Sequence, residues 1–251
     1  MDELLAIVGG SWQPLLLYPG LVTTVVLALI VGRLWRRADA ARQPTGGSPP
    51  AAVFAAASTL LVAALLPLPR THWAYPIDLL LTLALLEVPH WLRLAERLRS
   101  GVGSEAAALL NVYGLLALVL VALGQAAGSL LLPELRTGRG PLRWAGLIVW
   151  AGSLPPLLGL GPWRSGRDTL DDLRRVVHVA LLVSVALPDG DRWGYTGPAL
   201  GAAGAFGSLT LLHYSWRGDP ARWERWQPLV ALGLLVIVLW TGTTAWLARL
   251  R

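Results

Sequence analysis

The sequence predicts an all-α, polytopic membrane protein with about eight transmembrane helices, both termini outside, as a single integral domain over residues 1–251. Three observations carry that expectation. Hydrophobic residues make up 55% of the chain and charged residues 14%, and long apolar runs recur from end to end. Basic residues gather at alternate ends of those runs. Tryptophans mark the run ends: Trp12, Trp35, Trp73, Trp91, Trp163, Trp193, Trp216 and Trp226 all fall near an expected boundary between lipid and water.

The first run, about 14–34, follows Asp2 and Glu3 rather than a basic leader and ends in "GRLWRR". It reads as an anchor with its amino end outside, not as a cleavable signal. Runs follow at about 50–68, 74–92, 106–132, 144–161, 170–187, 194–213 and 227–248. Each comes near the roughly 20 residues needed to cross about 30 Å of hydrocarbon with backbone hydrogen bonds closed internally. The sixth is marginal, because its uninterrupted apolar stretch is only Val176–Leu187. Thr169 and Asp172 fit a capping box, and Asp171 and Asp172 suit the positive end of a helix dipole. A helix starting at Leu170 then gains eighteen residues, about 27 Å, which is enough. Between runs, "RRADAARQPTGGSPP" has room for at most a short surface helix, and "PELRTGRGP" is expected to be a turn-rich outer loop.

All 21 basic residues are arginine, and there is no cysteine. Lysine Schiff bases, phosphate-cradling lysine loops, disulfides, cysteine nucleophiles and thiolate metal sites are thereby excluded. No HExxH, GxSxG or paired histidine set appears either, so catalytic and metal-binding residues are expected to be none. The pI is near 10.7, yet no arginine run exceeds two, so topology explains the charge better than nucleic-acid binding. Connections after runs one, three, five and seven hold fourteen arginines and the opposite side seven, which places the fourteen in the cytoplasm. Usage rich in Ala, Leu, Arg and Trp without lysine suggests a GC-rich bacterial genome, and with it a multi-pass location in the bacterial inner membrane.

Ionisable groups within apolar runs are costly and therefore candidates for function. Glu87 and His90 lie three apart in "ALLEVPHWLRL"; the competing reading is a shallow pair that snorkels to the headgroups. Asp78 suits an outer interface, and Glu105 suits the start of a helix. Asp171, Arg174, Arg175 and His178 are spaced to form one helical stripe. A cap with intrahelical ion pairs accounts for the first three, and a hydrogen-bonded interior histidine for the fourth. Glu87, His90 and His178 are expected at similar depth, on the cytoplasmic side. If runs three and six are neighbours, these residues line one polar pocket, which suits a quinone head group or a subunit contact. Spacing does not choose between them.

Longer stretches resemble a known family. "LLLYPGLVTTVVLALIVGRLWRRADAARQ" carries Tyr18-Pro19-Gly20, Arg36-Arg37 and Ala41-Arg42-Gln43, with Pro49-Pro50 beyond it. It is similar to the first helix and cytoplasmic loop of the heel (H-type) subunit of respiratory complex I, an NADH–quinone oxidoreductase. Relatives of that subunit occur in group 4 membrane-bound NiFe hydrogenases and formate hydrogenlyase. "GVGSEAAALLNVYGLLALVLVALGQAAGSL" resembles the hydrogenase-type fourth helix through Gly103, Ser104, Glu105 and the Ala-Gly-Ser at 127–129. "DTLDDLRRVVHVALLVSVAL" resembles a further family loop and helix through Asp168, Thr169, Asp172, Leu173, His178, Ala180 and Leu181. The departures point one way: Val179, Ser184 and Tyr113 stand where the family pattern has glutamate.

The resemblance implies a non-catalytic membrane subunit that docks the peripheral electron-transfer arm and helps frame a quinone cavity. It brings other membrane and peripheral subunits as partners and leaves iron–sulfur or NiFe centres to them, with no covalently bound cofactor here. Arg36, Arg37, Arg42, Gln43, Asp171, Asp172, Arg174 and Arg175 are the quinone- or partner-facing candidates. Glu87, His90 and His178 are the candidates for a proton relay, which the missing glutamates weaken. A different class stays open: a stand-alone transporter or integral membrane enzyme with its pocket around Glu87, His90 and His178.

Overall fold

The computed structural model describes residues 21–36, 49–66, 77–98, 103–160, 169–187, 196–215 and 220–249. Among these the chain forms nine helices: α1 (Leu21–Arg36), α2 (Pro49–Leu65), α3 (Leu79–Leu98), α4 (Gly103–Ala127), α5 (Leu132–Thr137), α6 (Pro141–Leu157), α7 (Thr169–Ala186), α8 (Thr196–Ser215) and α9 (Pro220–Arg249). Eight of them coincide with the eight apolar runs, because an apolar segment flanked by Gly, Pro and charge closes its backbone hydrogen bonds most cheaply as a helix.

The other helix, α5, sits in the stretch expected to be an irregular loop. Pro133 falls in its first turn, with Glu134 there and Arg136 in the last turn, a charge order that the helix dipole favours. The glycines at 138 and 140 masked that signal. The third run also extends further than expected, from an end near 92 to Leu98, because Arg93–Leu98 contains only good helix formers.

By length and composition, two segments are apolar enough to cross a membrane: Leu109–Ala127 in α4 and Arg225–Thr243 in α9. Val22–Leu34, Pro49–Leu65 and Ala199–Leu211 are apolar but shorter. Neither α3 nor α7 meets the criterion, and α7 has four charged residues among its first seven positions.

Packing inverts the order of hydrophobicity. The charged α7 lies at the centre, with Asp171–Val185 buried without interruption and α1, α2, α5, α6 and α8 around it. α4 lies along α6 and is flanked by α9, while α2 packs on α3. The apolar α1 and α9 lie outermost: Val22, Val25, Val26, Leu29 and Ile30 of α1 are exposed, as are Leu229, Leu232, Val236, Leu239 and Trp240 of α9.

Three local devices set the helix ends that matter for the central cluster. Asp78 caps α3 by accepting from the Leu80 and Leu81 amides at 2.6 and 3.3 Å, and a short antiparallel bridge joins it to Leu131 at the start of α5. Asp78 thus has a defined capping role at the start of α3. α6 closes in a Schellman turn: Gly159 takes φ +60°, Leu160 donates to the Pro155 carbonyl at 2.8 Å, and Gly159 to that of Pro156 at 3.3 Å.

The next two carbonyls of that turn, Leu157 and Leu158, are buried and accept from Arg174 at 3.1 Å and Arg175 at 2.9 Å. At the opposite end of the pair, Arg143 of α6 donates to the Val185 and Ala186 carbonyls of α7 at 2.9 and 3.1 Å. Each helix therefore caps the other with arginines from its own N-terminal turns. Buried carbonyls at helix ends have no water to turn to, so guanidiniums with several donors are well suited to this role.

Candidate functional site: a buried ionic cluster between α3, α4 and α7

Glu87 is the ninth of twenty residues in α3, Tyr113 the eleventh of twenty-five in α4, and His178 the tenth of eighteen in α7. All three sit near the middle of their helices, and Glu87 is buried against the chain's own side chains. The Glu87 side chain is 7% exposed and that of His178 0%.

The Glu87 carboxylate collects four donor contacts. Arg174 approaches as a fork, with Nε donating to Oε1 at 3.0 Å and Nη2 to Oε2 at 2.7 Å. His178 Nε2 lies 2.5 Å from Oε1, and the Tyr113 hydroxyl donates to Oε2. With its Nε2 facing a carboxylate, a neutral His178 carries its proton there. His178 Nδ1 is then an acceptor, buried with no hydrogen-bond partner among the described residues. Tyr113 is also held from the side by Trp91, whose ring centroid is 5.8 Å away. Trp91 therefore packs against the cluster rather than serving only as an interfacial belt residue.

A second set of pairs lies one turn along. Arg93 Nη1 is 3.4 Å from Asp171 Oδ1, and His90 Nδ1 is 3.8 Å from the same oxygen. Arg175 Nη1 donates to Asp172 Oδ1 at 2.8 Å within α7. Three carboxylates (Glu87, Asp171, Asp172) thus face three guanidiniums (Arg93, Arg174, Arg175), and the buried group is formally neutral before either imidazole takes a proton. Neutrality with paired geometry is the condition under which buried charge is tolerated.

The structure corrects two sequence expectations here. Asp171, Arg174 and His178 do share a face, directed at α3, but Arg175 is one residue on from Arg174, about 100° around the helix, and turns to Asp172 and α6. Arg175 and Asp172 pair within α7, whereas Arg174 and Asp171 pair across to α3. Asp171, Asp172, Arg174 and Arg175, the quinone- or partner-facing candidates of α7, are all more than nine-tenths buried and bonded to the chain's own groups. Of the other candidates, Arg36 ends α1, while Arg37, Arg42 and Gln43 lie outside the described residues.

Arg93, Arg143 and Tyr113 were not singled out as site residues by sequence. The first two counted only as topology markers, and Tyr113 only as a departure from a family pattern. A polar aromatic inside the apolar α4 was the available signal for Tyr113.

Chemically, the cluster can hold helices together and can share a proton between Glu87 and His178. Its donors already meet Glu87: Arg174 through Nε and Nη2, His178 through Nε2 and Tyr113 through its hydroxyl. Among the described residues no three His, Asp or Glu side chains converge as a metal ion would require. Neither protein-family models nor curated protein sequences match the chain.

Proposed function

We propose that this chain is a multi-pass subunit of the bacterial inner membrane, with eight helices in the bilayer and both termini outside. It anchors the peripheral arm of a complex I-like or group 4 hydrogenase-like redox assembly. The observation that carries the membrane part is the inverted packing: charge is gathered and neutralised at the centre around α7, and aliphatic side chains face outward from α1 and α9. Lipid-facing helices and a paired ionic core are what a bilayer selects, because it solvates alkyl groups and not ions.

The redox assignment rests on the sequence resemblance alone. In it, the Arg36, Arg37, Arg42 and Gln43 segment meets the peripheral subunits, which supply the iron–sulfur or nickel centres. Any quinone cavity would be framed by that segment. The chain's own contribution is structural: Glu87 ties α3, α4 and α7 into one rigid unit beneath the docking face. Purification in mild detergent from native membranes tests this reading. Co-purification with hydrophilic iron–sulfur subunits is expected, and recovery of the chain alone rejects the assignment.

A second reading within the same family makes Glu87 and His178 an active proton relay, and the direct contact between them favours it. Proton uptake by the assembled complex separates the two readings: uptake that survives Glu87→Gln eliminates the relay. The occupied oxygens of Glu87 count against the third reading, a transporter or membrane enzyme with its ligand pocket there.

A further inference from the structure

The helix with the most charge in its opening turns is also the most enclosed, and its polar groups are completed almost entirely by other helices. Of the four charges on α7, Arg175 and Asp172 form an ion pair within the helix. Arg174 relies on Glu87 of α3, and Asp171 on Arg93 of α3. The two helices thus exchange ions in both directions, and the buried fork of Arg174 on Glu87 is the closest of these pairs, at 2.7 Å. The backbone repeats the pattern, since the last carbonyls of α7 depend on Arg143 of α6, and those of α6 on Arg174 and Arg175. α7 is also not among the segments apolar enough to cross a membrane unaided.

We propose that α7 is a conditional membrane segment: it enters and stays in the bilayer only as a unit with α3 and α6, and Glu87 is the intramolecular receptor for Arg174 and His178. The proposal rests on the multi-pass reading above. A charged residue strongly disfavours insertion at mid-helix, and a partner that neutralises it removes that penalty. The apolar half of α7, Val176–Val185, is too short to cross by itself, so the charged half must be carried in as well. Glu87 and His178 then meet at mid-bilayer because the receptor has to lie where the incoming charge is costliest.

The absence of cysteine makes the test direct, since one introduced thiol is the only one labelled. Asp189→Cys reports the connection after α7, and Arg70→Cys the connection before α3. Both are expected outside, within reach of a membrane-impermeant maleimide applied to intact cells expressing the full chain. Adding Glu87→Leu is expected to lower outside labelling of the thiol at position 189 at least roughly threefold, while labelling at position 70 is kept. Combining Glu87→Leu with Arg174→Met removes both charges and is expected to restore labelling at position 189.

Unchanged labelling at position 189 in the Glu87→Leu chain would mean that α7 inserts without its receptor and would overturn the proposal. A parallel loss at position 70 would also overturn it, by showing a collapse of the whole bundle. If the thiol at position 189 cannot be reached from outside even with Glu87 intact, the multi-pass topology itself fails, a result distinct from either of these.

Discussion

α7 and α9 occupy opposite extremes of the molecule. α9 is thirty residues long, apolar along its middle and exposed on most of its circumference, with Trp240 at 71%. α7 is eighteen residues, opens with two aspartates and two arginines, and has no exposed residue between Asp171 and Val185. In water the burial order would be reversed, with the greasy helix inside. The comparison teaches that this bundle is organised around satisfying polar groups; on the membrane reading proposed above, lipid tails would provide α9 with what apolar packing provides and would provide α7 with nothing.

The largest expected effect comes from breaking the central pairing on one side only. Arg174→Ala leaves Glu87 buried with a phenol and an imidazole but no guanidinium, and leaves the Leu157 carbonyl without its donor. Removal of one partner from a buried ion pair costs about 3–5 kcal/mol. The expected outcome is a steep fall in the thermal unfolding midpoint of the detergent-solubilised protein. The Glu87→Leu and Arg174→Met double variant is expected to recover most of it, and a double variant as unstable as Arg174→Ala would show that charge pairing is not what binds α7.

α9 has one position where it behaves like α7. The Gln125 side-chain amide of α4 lies against α9; assigned with its oxygen towards the Gly242 amide, it accepts from that group at 2.7 Å and donates to the Val238 carbonyl at 3.2 Å. A Cβ at residue 242 would lie 2.9 Å from that amide. Gly242→Leu is therefore expected to push α9 off α4 at a cost of about 1–3 kcal/mol, whereas Gly233→Ala, built into open space on the same helix, is expected to be neutral or stabilising by up to about 1 kcal/mol. Thermal unfolding of the two variants side by side checks the contrast, and equal behaviour would deny any specific seat for α9.

Much of this architecture could be read from the sequence, and the part that could not has a physical cause. Apolar runs bounded by arginine, glycine and proline located eight helices, because run length and flanking chemistry are local properties. Glu87 and His178 stood out as ionisable groups within those runs. Their partnership did not, since spacing within one helix says nothing about which helix it will face. Arg174 and Arg175 could not be assigned as caps, because their acceptors are backbone carbonyls of Leu157 and Leu158, and a carbonyl leaves no mark in the sequence. Arg143 could not be assigned as a cap for the same reason: an arginine near a helix end looks identical whether it meets water or another helix.

Arg143 lets the comparison be sharpened at the other end of α7. Arg143→Met would keep much of the aliphatic bulk but leave the buried Val185 carbonyl and its neighbour at Ala186 without this donor, which is expected to cost about 1–3 kcal/mol. Amide exchange should then rise at the last turn of α7 while the Glu87 end stays protected; uniform loosening of the whole helix would mean the two ends are coupled more tightly than separate caps allow.

The smallest effect should come from the outer face of α9. Leu232→Ala removes a side chain that is 57% exposed and meets little of the protein, so a change within about 0.5 kcal/mol is expected, far below that of Arg174→Ala. The informative variant at that site is Leu232→Arg, which adds a charge where α9 has no partner to offer. If the outer face meets lipid, this change should reduce the amount of chain recovered in membranes while leaving the unfolding midpoint of the protein already in detergent nearly unchanged. If it meets another protein chain, the midpoint of the isolated subunit should likewise hold, but the assembled complex should fall apart. Two helices of one chain would then be shown to obey opposite rules: α7 cannot lose a charge singly, and α9 cannot gain one.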